Sequence, residues 1–182
     1  PSTASRSKSR AGMTDTAYVS LGSNLGDRRS ILGSAVVELA SRPGIDLLTV
    51  SSLFETEPVG LTEQPLFLNA CVCVRTAGTA RQLLQGLFAI EDLFLRKRTA
   101  RWGPRTLDLD LLLCGDQIVD SADLILPHPR MTGRCFVLAP LCEIEPHLRH
   151  PVSGRPFAEY CSELVCETQV RRLGALAAPC VS

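Results

Sequence analysis

The sequence has little of what marks a membrane protein or a nucleic-acid-binding protein. No hydrophobic run reaches the roughly 18 residues that a membrane-spanning helix needs. The formal net charge is +0, and only 5% of the 182 residues are aromatic. A basic surface with stacked aromatic side chains, a common means of binding nucleic acid, is therefore not expected. The 45% hydrophobic and 21% charged residues are instead typical of a folded globular domain.

The eight cysteines show neither a metal-binding pattern nor a disulfide framework. There is no C-x-x-C motif, and no cysteine pairs with histidine at the spacing of a zinc site. Cys71 and Cys73 alternate within a hydrophobic run, and Cys114, Cys135 and Cys142 also have hydrophobic neighbours. Because free cysteine packs as a small hydrophobic residue, we expect buried thiols. Thiols indicate a reducing compartment, and we expect the cytoplasm.

The two ends of the chain differ from its centre. Residues 1–16 are rich in serine, threonine and arginine and lack the hydrophobic segment of a secretory signal. We expect them to form a flexible extension, with a tag, a linker and a transit-like remnant as open alternatives. One folded domain is expected over residues 17–166, and residues 167–182 are expected to be a C-terminal tail.

Hydrophobic periodicity and turn residues divide the domain into strands and helices. The pattern predicts strands over 17–22, 47–54, 67–74 and 105–113. It predicts helices that begin after Asp27 and after Thr79, and two later helices over 136–142 and 157–165. The order strand, helix, two strands, helix, strand is that of a ferredoxin-like α+β fold, in which helices flank an antiparallel sheet. The remaining C-terminal elements are additions to this βαββαβ core.

Asp108 and Asp110 are the strongest local indication of chemistry. Alternation along a strand places both carboxylates on one face, about 6–7 Å apart, and places Leu107, Leu109 and Leu111 on the other face. Aspartate is disfavoured in strands. Paired carboxylates suit Mg²⁺, which completes its shell with water and substrate phosphate. On these residues alone, a solvent-facing strand that tolerates two aspartates remains an alternative.

Basic residues immediately precede this pair, at Arg96, Lys97, Arg98, Arg101 and Arg105. Only two lysines occur in the chain, so nearly all of the positive charge is arginine, whose planar donors match phosphate oxygens. Arginines for phosphate beside carboxylates for metal ions indicate phosphoryl transfer. A solvated loop that pairs with acidic residues is the alternative. No P-loop motif is present, because the glycine-containing segment 22–26 lacks its lysine.

The string RWGPRTLDLDLL, residues 101–112, resembles the signature of the 6-hydroxymethyl-7,8-dihydropterin pyrophosphokinase family of folate biosynthesis. The resemblance also includes, in the right order, residues 22–25, 55–60, 67–70 and 127–131. It implies transfer of the β,γ-pyrophosphoryl group of ATP to the hydroxymethyl oxygen of the reduced pterin, with release of AMP. It further implies two Mg²⁺ ions, and relatives that are often fused to neighbouring folate enzymes.

The resemblance also implies roles for single residues. Metal binding is assigned to Asp108 and Asp110, and catalysis to the same two aspartates with Arg96 and Arg105. The implied nucleotide-binding residues are Glu91, Arg98, Leu111, His128 and Arg134. The implied pterin-binding residues are Thr56, Val59, Phe67, Asn69, Trp102 and Phe136. In this assignment the two phenylalanines lie on opposite faces of the pterin ring.

Two other interpretations fit the predicted fold. A ferredoxin-like RNA-binding module would carry a K/R-G-F/Y-G/A-F run on a strand, and the sequence has none. A catalytically inactive relative would be expected to have lost Asp108, Asp110 or Arg105, and all three are present. The expected partners are therefore the small molecules ATP and the reduced pterin, with neither a nucleic acid nor a membrane.

Overall fold

A computed structural model describes residues 14–58, 63–94, 105–166 and 169–176. Its helices are α1 (Arg28–Ala40), α2 (Ala80–Leu93), α3 (Cys135–Ile144) and α4 (Phe157–Glu163), with a 3₁₀ turn at Met131–Gly133. Its strands are β1 (Asp15–Ser23), β2 (Ile45–Val50), β3 (Ser52–Thr56), β4 (Phe67–Thr76), β5 (Asp108–Cys114), β6 (Val119–Ser121), β7 (Leu124–Leu126) and β8 (Val170–Ala175).

The main sheet is antiparallel, with the strand order β5-β1-β4-β3-β8, and β2 also pairs with β4. Strands β6 and β7 form a separate hairpin. The segment predicted as one strand over 47–54 is two strands, because Ser51 interrupts it. The Ser51 amide donates to the Cys71 carbonyl, and its hydroxyl accepts from the Cys71 amide, both at 2.9 Å. The predicted α+β class with helices flanking an antiparallel sheet is confirmed.

Alternation along the strands gives the sheet two buried faces. Residues such as Val19 and Val72 pack with the apolar stripes of α1 and α2. Their chain neighbours Tyr18 and Cys71 pack on the opposite face with α3, α4 and the 3₁₀ turn. The predicted metal ligands Asp108 and Asp110 lie on this second face, because Leu107, Leu109 and Leu111 point to the first.

Both early helices begin where capping chemistry predicts. The Asp27 side chain accepts a hydrogen bond from the Ser30 amide at 3.1 Å and so caps α1. Thr79 and Gln82 form a reciprocal capping box at the start of α2. No helix within the part of the chain that the structure describes is long and apolar enough to cross a membrane.

Strand β8 differs from the expectation that residues 167–182 form a tail. It pairs antiparallel with β3 and thus extends the main sheet. Its two consecutive arginines give it no hydrophobic alternation, but both are paired, Arg171 with Glu55 and Arg172 with Glu143. Strand β1 likewise begins at Asp15, inside the expected N-terminal extension.

One cysteine pair corrects the expectation of thiols. Cys135 and Cys166 form a disulfide, with their Cα atoms 5.8 Å apart. Cys135 begins α3 and Cys166 follows α4, so the fold joins residues that are separated by 31 positions in sequence. Sequence spacing alone does not reveal such a pair. The other cysteines within the described ranges are free, namely Cys71, Cys73, Cys114, Cys142 and Cys161.

Candidate functional site

The two aspartates share one face of β5, the strand at one edge of the main sheet. Leu109, between them, belongs to the core on the opposite face with Leu107 and Leu111, as alternation predicts. The side chains of Asp108 and Asp110 keep 21% and 34% of their surface exposed. Both side chains are therefore partly open to solvent, although the Asp108 Oδ1 atom itself is buried.

Gly22 joins this acidic pair to the centre of the sheet. It is the cross-strand neighbour of Asp108 on one side and of Asn69 on the other. A Cβ atom at Gly22 would lie 3.3 Å from Asn69 Oδ1 and 4.0 Å from the Phe67 ring. Because Gly22 has no side chain, the sheet surface between Asp108 and the predicted pterin contacts Phe67 and Asn69 stays open. We call this surface the floor of the site.

Asn69 and Thr56 form the polar part of that floor, and both are buried. The Asn69 amide nitrogen donates to Thr56 Oγ1 at 2.9 Å. This bond holds the amide so that its oxygen lies on the Gly22 side. The structure thus brings together three of the residues predicted to bind the pterin, Thr56, Phe67 and Asn69.

Arg105 lies just before β5, and its guanidinium makes a short hydrogen bond and ion pair with Asp108. Its backbone is held from the end of β1. The Arg105 amide donates to Asn24 Oδ1 at 2.7 Å, and its carbonyl accepts from the Asn24 amide at 3.0 Å. The predicted catalytic arginine is therefore fixed beside the predicted metal ligands. The sequence reasoning gave Asn24 no role of its own.

A second group of basic side chains lies beside Asp110. Arg134 lies 3.5 Å from its carboxylate, and His128 lies 3.9 Å from it. The Arg134 guanidinium carbon is also 5.4 Å from the centre of the Phe136 ring, a cation–π contact. His128 is held to β5 because its amide donates to the Leu112 carbonyl at 2.9 Å. Three further predicted site residues thus lie on the Asp110 side.

Burial affects the protonation of both basic side chains. It lowers the pKa of His128, an effect that the Asp110 carboxylate opposes and that Arg134 and Arg130 reinforce. Burial and neighbouring Arg130 also lower the pKa of Arg134, against the pull of Asp110. The lowered pKa of His128 favours its neutral form near pH 7, and a bound polyanion would stabilise both protonated His128 and the Arg134 cation.

Two residues predicted to bind nucleotide have side chains turned away from this face. Leu111 is buried in the α1–α2 side of the core. Glu91 on α2 is only 1% exposed, and its Oε1 accepts the Leu109 amide at 2.7 Å. Glu91 therefore supports the β5 backbone between the two aspartates from behind. The nucleotide-binding roles assigned to Glu91 and Leu111 stay predictions.

Four predicted site residues lie outside the described residues, namely Val59, Arg96, Arg98 and Trp102. Their assigned roles stay predictions.

Comparison with known proteins bears on the whole arrangement. The family model described as 7,8-dihydro-6-hydroxymethylpterin-pyrophosphokinase (HPPK) matches residues 18–146. A 2-amino-4-hydroxy-6-hydroxymethyldihydropteridine pyrophosphokinase of Bacillus subtilis is 46% identical over 132 residues, which cover 72% of this chain and 79% of that protein. The protein of the same name from Pseudomonas aeruginosa is 40% identical over 163 residues, 90% of this chain and 100% of the relative.

Longer proteins also match. Folic acid synthesis protein fol1 of Pneumocystis carinii is 40% identical over 151 residues, which are 83% of this chain and 20% of that protein. The crystal structure of Plasmodium falciparum HPPK-DHPS A437G with pteroate has a TM-score of 0.67 at 15% identity, over 85% of this chain. This chain spans 44% of that structure, so the likeness shows the fold of one part of it. On the family match and the 40–46% identity to several relatives, the chain belongs to the 7,8-dihydro-6-hydroxymethylpterin-pyrophosphokinase family.

Proposed function

We propose that this chain transfers the pyrophosphoryl group of ATP to the hydroxymethyl oxygen of 6-hydroxymethyl-7,8-dihydropterin and releases AMP. The observation that carries the proposal is the row Asp108, Gly22 and Asn69 across three neighbouring strands. One end of this row offers carboxylates and cations for a metal-bound triphosphate. The other end offers a buried amide and an aromatic ring for a flat heterocycle.

The aspartate pair fits Mg²⁺ by its chemistry. Both ligands are hard carboxylate oxygens on one face of a strand, and both are partly exposed. Within the described ranges no group of three or more His, Cys, Asp or Glu could hold a metal. Asp108 and Asp110 would be the two protein ligands, with water and substrate phosphate completing the shell, as is usual for Mg²⁺. Bound Mg²⁺ would supply neutralisation of the triphosphate charge.

The hydrogen-bond donors around the pair support phosphate binding. Arg105 contacts Asp108, while His128 and Arg134 flank Asp110. Each now faces a carboxylate, and each can turn a donor toward a phosphate oxygen when the carboxylates hold metal. Acceleration then comes from positioning and charge neutralisation, the usual means of phosphoryl transfer. Arg96 and Arg98 are proposed to add further phosphate contacts.

The pterin would lie over Gly22. A flat ring with hydrogen-bonding edges favours aromatic faces and fixed amide groups. Phe67 and Phe136 are both half-buried. The Phe67 ring borders the opening at Gly22, whereas Phe136 contacts Arg134 on the Asp110 side. Asn69 with Thr56 offers a preorganised polar edge. We assign ring contacts to the two phenylalanines and edge contacts to Asn69 and Thr56, with Val59 and Trp102 as further pterin contacts.

Product analysis tests the proposed reaction. The protein is supplied with ATP, Mg²⁺ and the reduced hydroxymethylpterin, and the nucleotides are separated by chromatography. We expect AMP to form in equal amount with the pterin diphosphate, and we expect a chelator to abolish both. Formation of ADP would show single-phosphate transfer and would refute the proposed reaction.

Fusion is a further part of the proposal. The chain covers only a fraction of fol1 and of HPPK-DHPS. We propose that this domain is joined to, or associates with, a neighbouring enzyme of folate synthesis. Sequencing the full reading frame tests the fusion, and co-purification with a candidate folate enzyme tests the association. A single-domain reading frame together with the absence of any such complex would refute both.

A further inference from the structure

We propose that Asn24 is a positioning residue that couples the pterin side of the site to its phosphate side. The inference rests on the roles proposed above for Arg105, Asp108 and Phe67. Asn24 directly follows β1 and is only 1% exposed. It contacts two chain segments that are about 40 residues apart in sequence, at Gln64–Pro65 and at Arg105.

The Asn24 carboxamide uses both of its ends. Its Nδ2 donates to Gln64 Oε1 at 3.2 Å and to the Pro65 carbonyl at 3.3 Å. Its Oδ1 accepts from the Arg105 amide at 2.7 Å. A backbone amide can only donate and a backbone carbonyl can only accept, so these partners fix the orientation of the carboxamide. At this position only a residue with both a donor and an acceptor satisfies both segments.

Each segment leads directly into the site. Pro65 lies two residues before Phe67, which begins β4 and borders the floor at Gly22. Arg105 lies three residues before Asp108 and pairs with it. A buried amide in a low-dielectric setting makes strong and directional hydrogen bonds. Asn24 therefore fixes the ring-bearing segment and the arginine-bearing segment relative to the same strand end.

The kinetic consequence follows from this geometry. Each ligand alone meets only one of the two segments, so loss of the link should leave its affinity nearly unchanged. The reaction needs the pterin and the triphosphate to be correctly placed relative to each other, and this placement depends on both segments. A misplacement of about 1 Å can cost about 10²-fold in rate. Asn24 should therefore act on turnover more than on binding.

Asn24→Asp is the sharpest test, because it keeps an acceptor for the Arg105 amide and removes both donated bonds. We expect kcat for AMP formation to fall about 10- to 10²-fold. We expect Kd for pterin alone and for a non-hydrolysable ATP analogue alone to stay within about threefold, as measured by calorimetry. A variant with wild-type kcat overturns the inference.

Gln117→Glu is the matched control. The Gln117 amide nitrogen donates to Asp15 Oδ2 at 2.7 Å, at the opposite end of β1 and β5. The same amide-to-carboxylate change there should lower the melting temperature and leave kcat unchanged. If the loss of kcat in Asn24→Asp only tracks its loss of folded protein by circular dichroism, Asn24 is merely structural and the inference fails.

A second variant covers the case in which Asn24→Asp does not fold. Gln64→Leu removes one partner of Asn24 from a partly exposed position. A lowered kcat with unchanged binding of either ligand supports the coupling, and an unchanged kcat overturns it. If the wild-type protein itself forms no AMP, the proposed function is refuted. That result differs from every outcome for the variants, because those outcomes are all measured relative to an active wild type.

Discussion

At the scale of single residues, the site depends on a glycine as much as on its charged groups. Gly22 lies between Asp108 and Asn69 in the register of the sheet. Any side chain there would occupy the space that connects the acidic pair with the buried amide. The close approach explains the glycine without any need for unusual backbone angles.

Gly22→Ala should therefore weaken pterin binding. The added methyl group would press on Asn69 Oδ1 at 3.3 Å and would fill space beside Phe67, whose ring it would meet at 4.0 Å. Because the methyl group would fill space assigned to the pterin and displace the Asn69 amide, we expect Kd for the pterin to rise about tenfold, or about 1.4 kcal/mol, in calorimetry. Gly86→Ala on α2 is the control, because a Cβ there meets no heavy atom within 4 Å in the described structure. Equal pterin affinity in both variants would contradict the proposed floor.

Glu91 supports the backbone of strand β5 from the α2 side. Its Oε1 accepts the buried Leu109 amide at 2.7 Å. Glu91→Ala should lower the free energy of unfolding by about 1–3 kcal/mol in urea, because a buried donor loses its partner. Glu91→Gln keeps an acceptor and should lose less. Equal destabilisation by both variants would show that the bond to Leu109 is not the cause.

At the scale of elements, α3 carries Phe136 and follows Arg134, so its anchoring matters for the site. Glu143, near its C-terminal end, accepts hydrogen bonds from the Ser52 amide at 3.1 Å and from Arg172 at 2.8 Å. It thereby links the helix to both β3 and β8. Burial tends to raise the pKa of Glu143, but the hydrogen bonds from Arg172 and Ser52 outweigh burial and lower it.

This lowered pKa gives a pH-dependent prediction. Because Glu143 has a lower pKa in the folded state than in the unfolded chain, its contribution is present above the unfolded pKa of about 4.3. The contribution is lost as pH falls through the folded pKa. Glu143→Gln should therefore reduce stability at pH 7 by about 1 kcal/mol, and the difference from wild type should shrink below about pH 4 in urea titrations. A difference that is constant with pH would contradict the prediction.

The elements also show how far sequence reasoning reaches. Local rules predicted the caps at Asp27 and Thr79 and the alternation around Asp108, because each depends on residues within one turn or one strand. The break at Ser51 and strand β8 depend on partners distant in the chain, and no local pattern encodes them. The contacts of Asn24 and Glu91 are of the same kind, since both span segments that only the folded sheet brings together.

At the scale of the whole molecule, the Cys135–Cys166 disulfide connects the start of α3 with the segment between α4 and β8. Cys135 lies between Arg134 and Phe136, so the bond also borders the site. Disulfides are rare in reducing compartments. The cytoplasmic location expected from the cysteine pattern therefore stays a prediction.

Reduction should destabilise the protein. A disulfide that closes a loop of this length contributes about 3–4 kcal/mol in the chain-entropy model. We expect dithiothreitol to lower the melting temperature of the wild type and to leave that of Cys135→Ser/Cys166→Ser unchanged. An identical melting temperature of the wild type with and without reductant would contradict the disulfide.

Burial raises the pKa of Cys114 to about 11, so this thiol should stay unreactive toward alkylation in the folded protein.

The most direct test of the proposed chemistry is AMP formation by aspartate variants over a range of Mg²⁺ concentrations. Asp108→Asn and Asp110→Asn keep the size of each side chain and remove its charge. The control is Asp120→Asn, at an exposed position on β6. We predict that each site variant forms AMP about 10²-fold or more slowly than wild type while remaining folded, and that the control matches wild type. Wild-type rates and an unchanged Mg²⁺ dependence in both site variants would show that the acidic pair does not hold the metal.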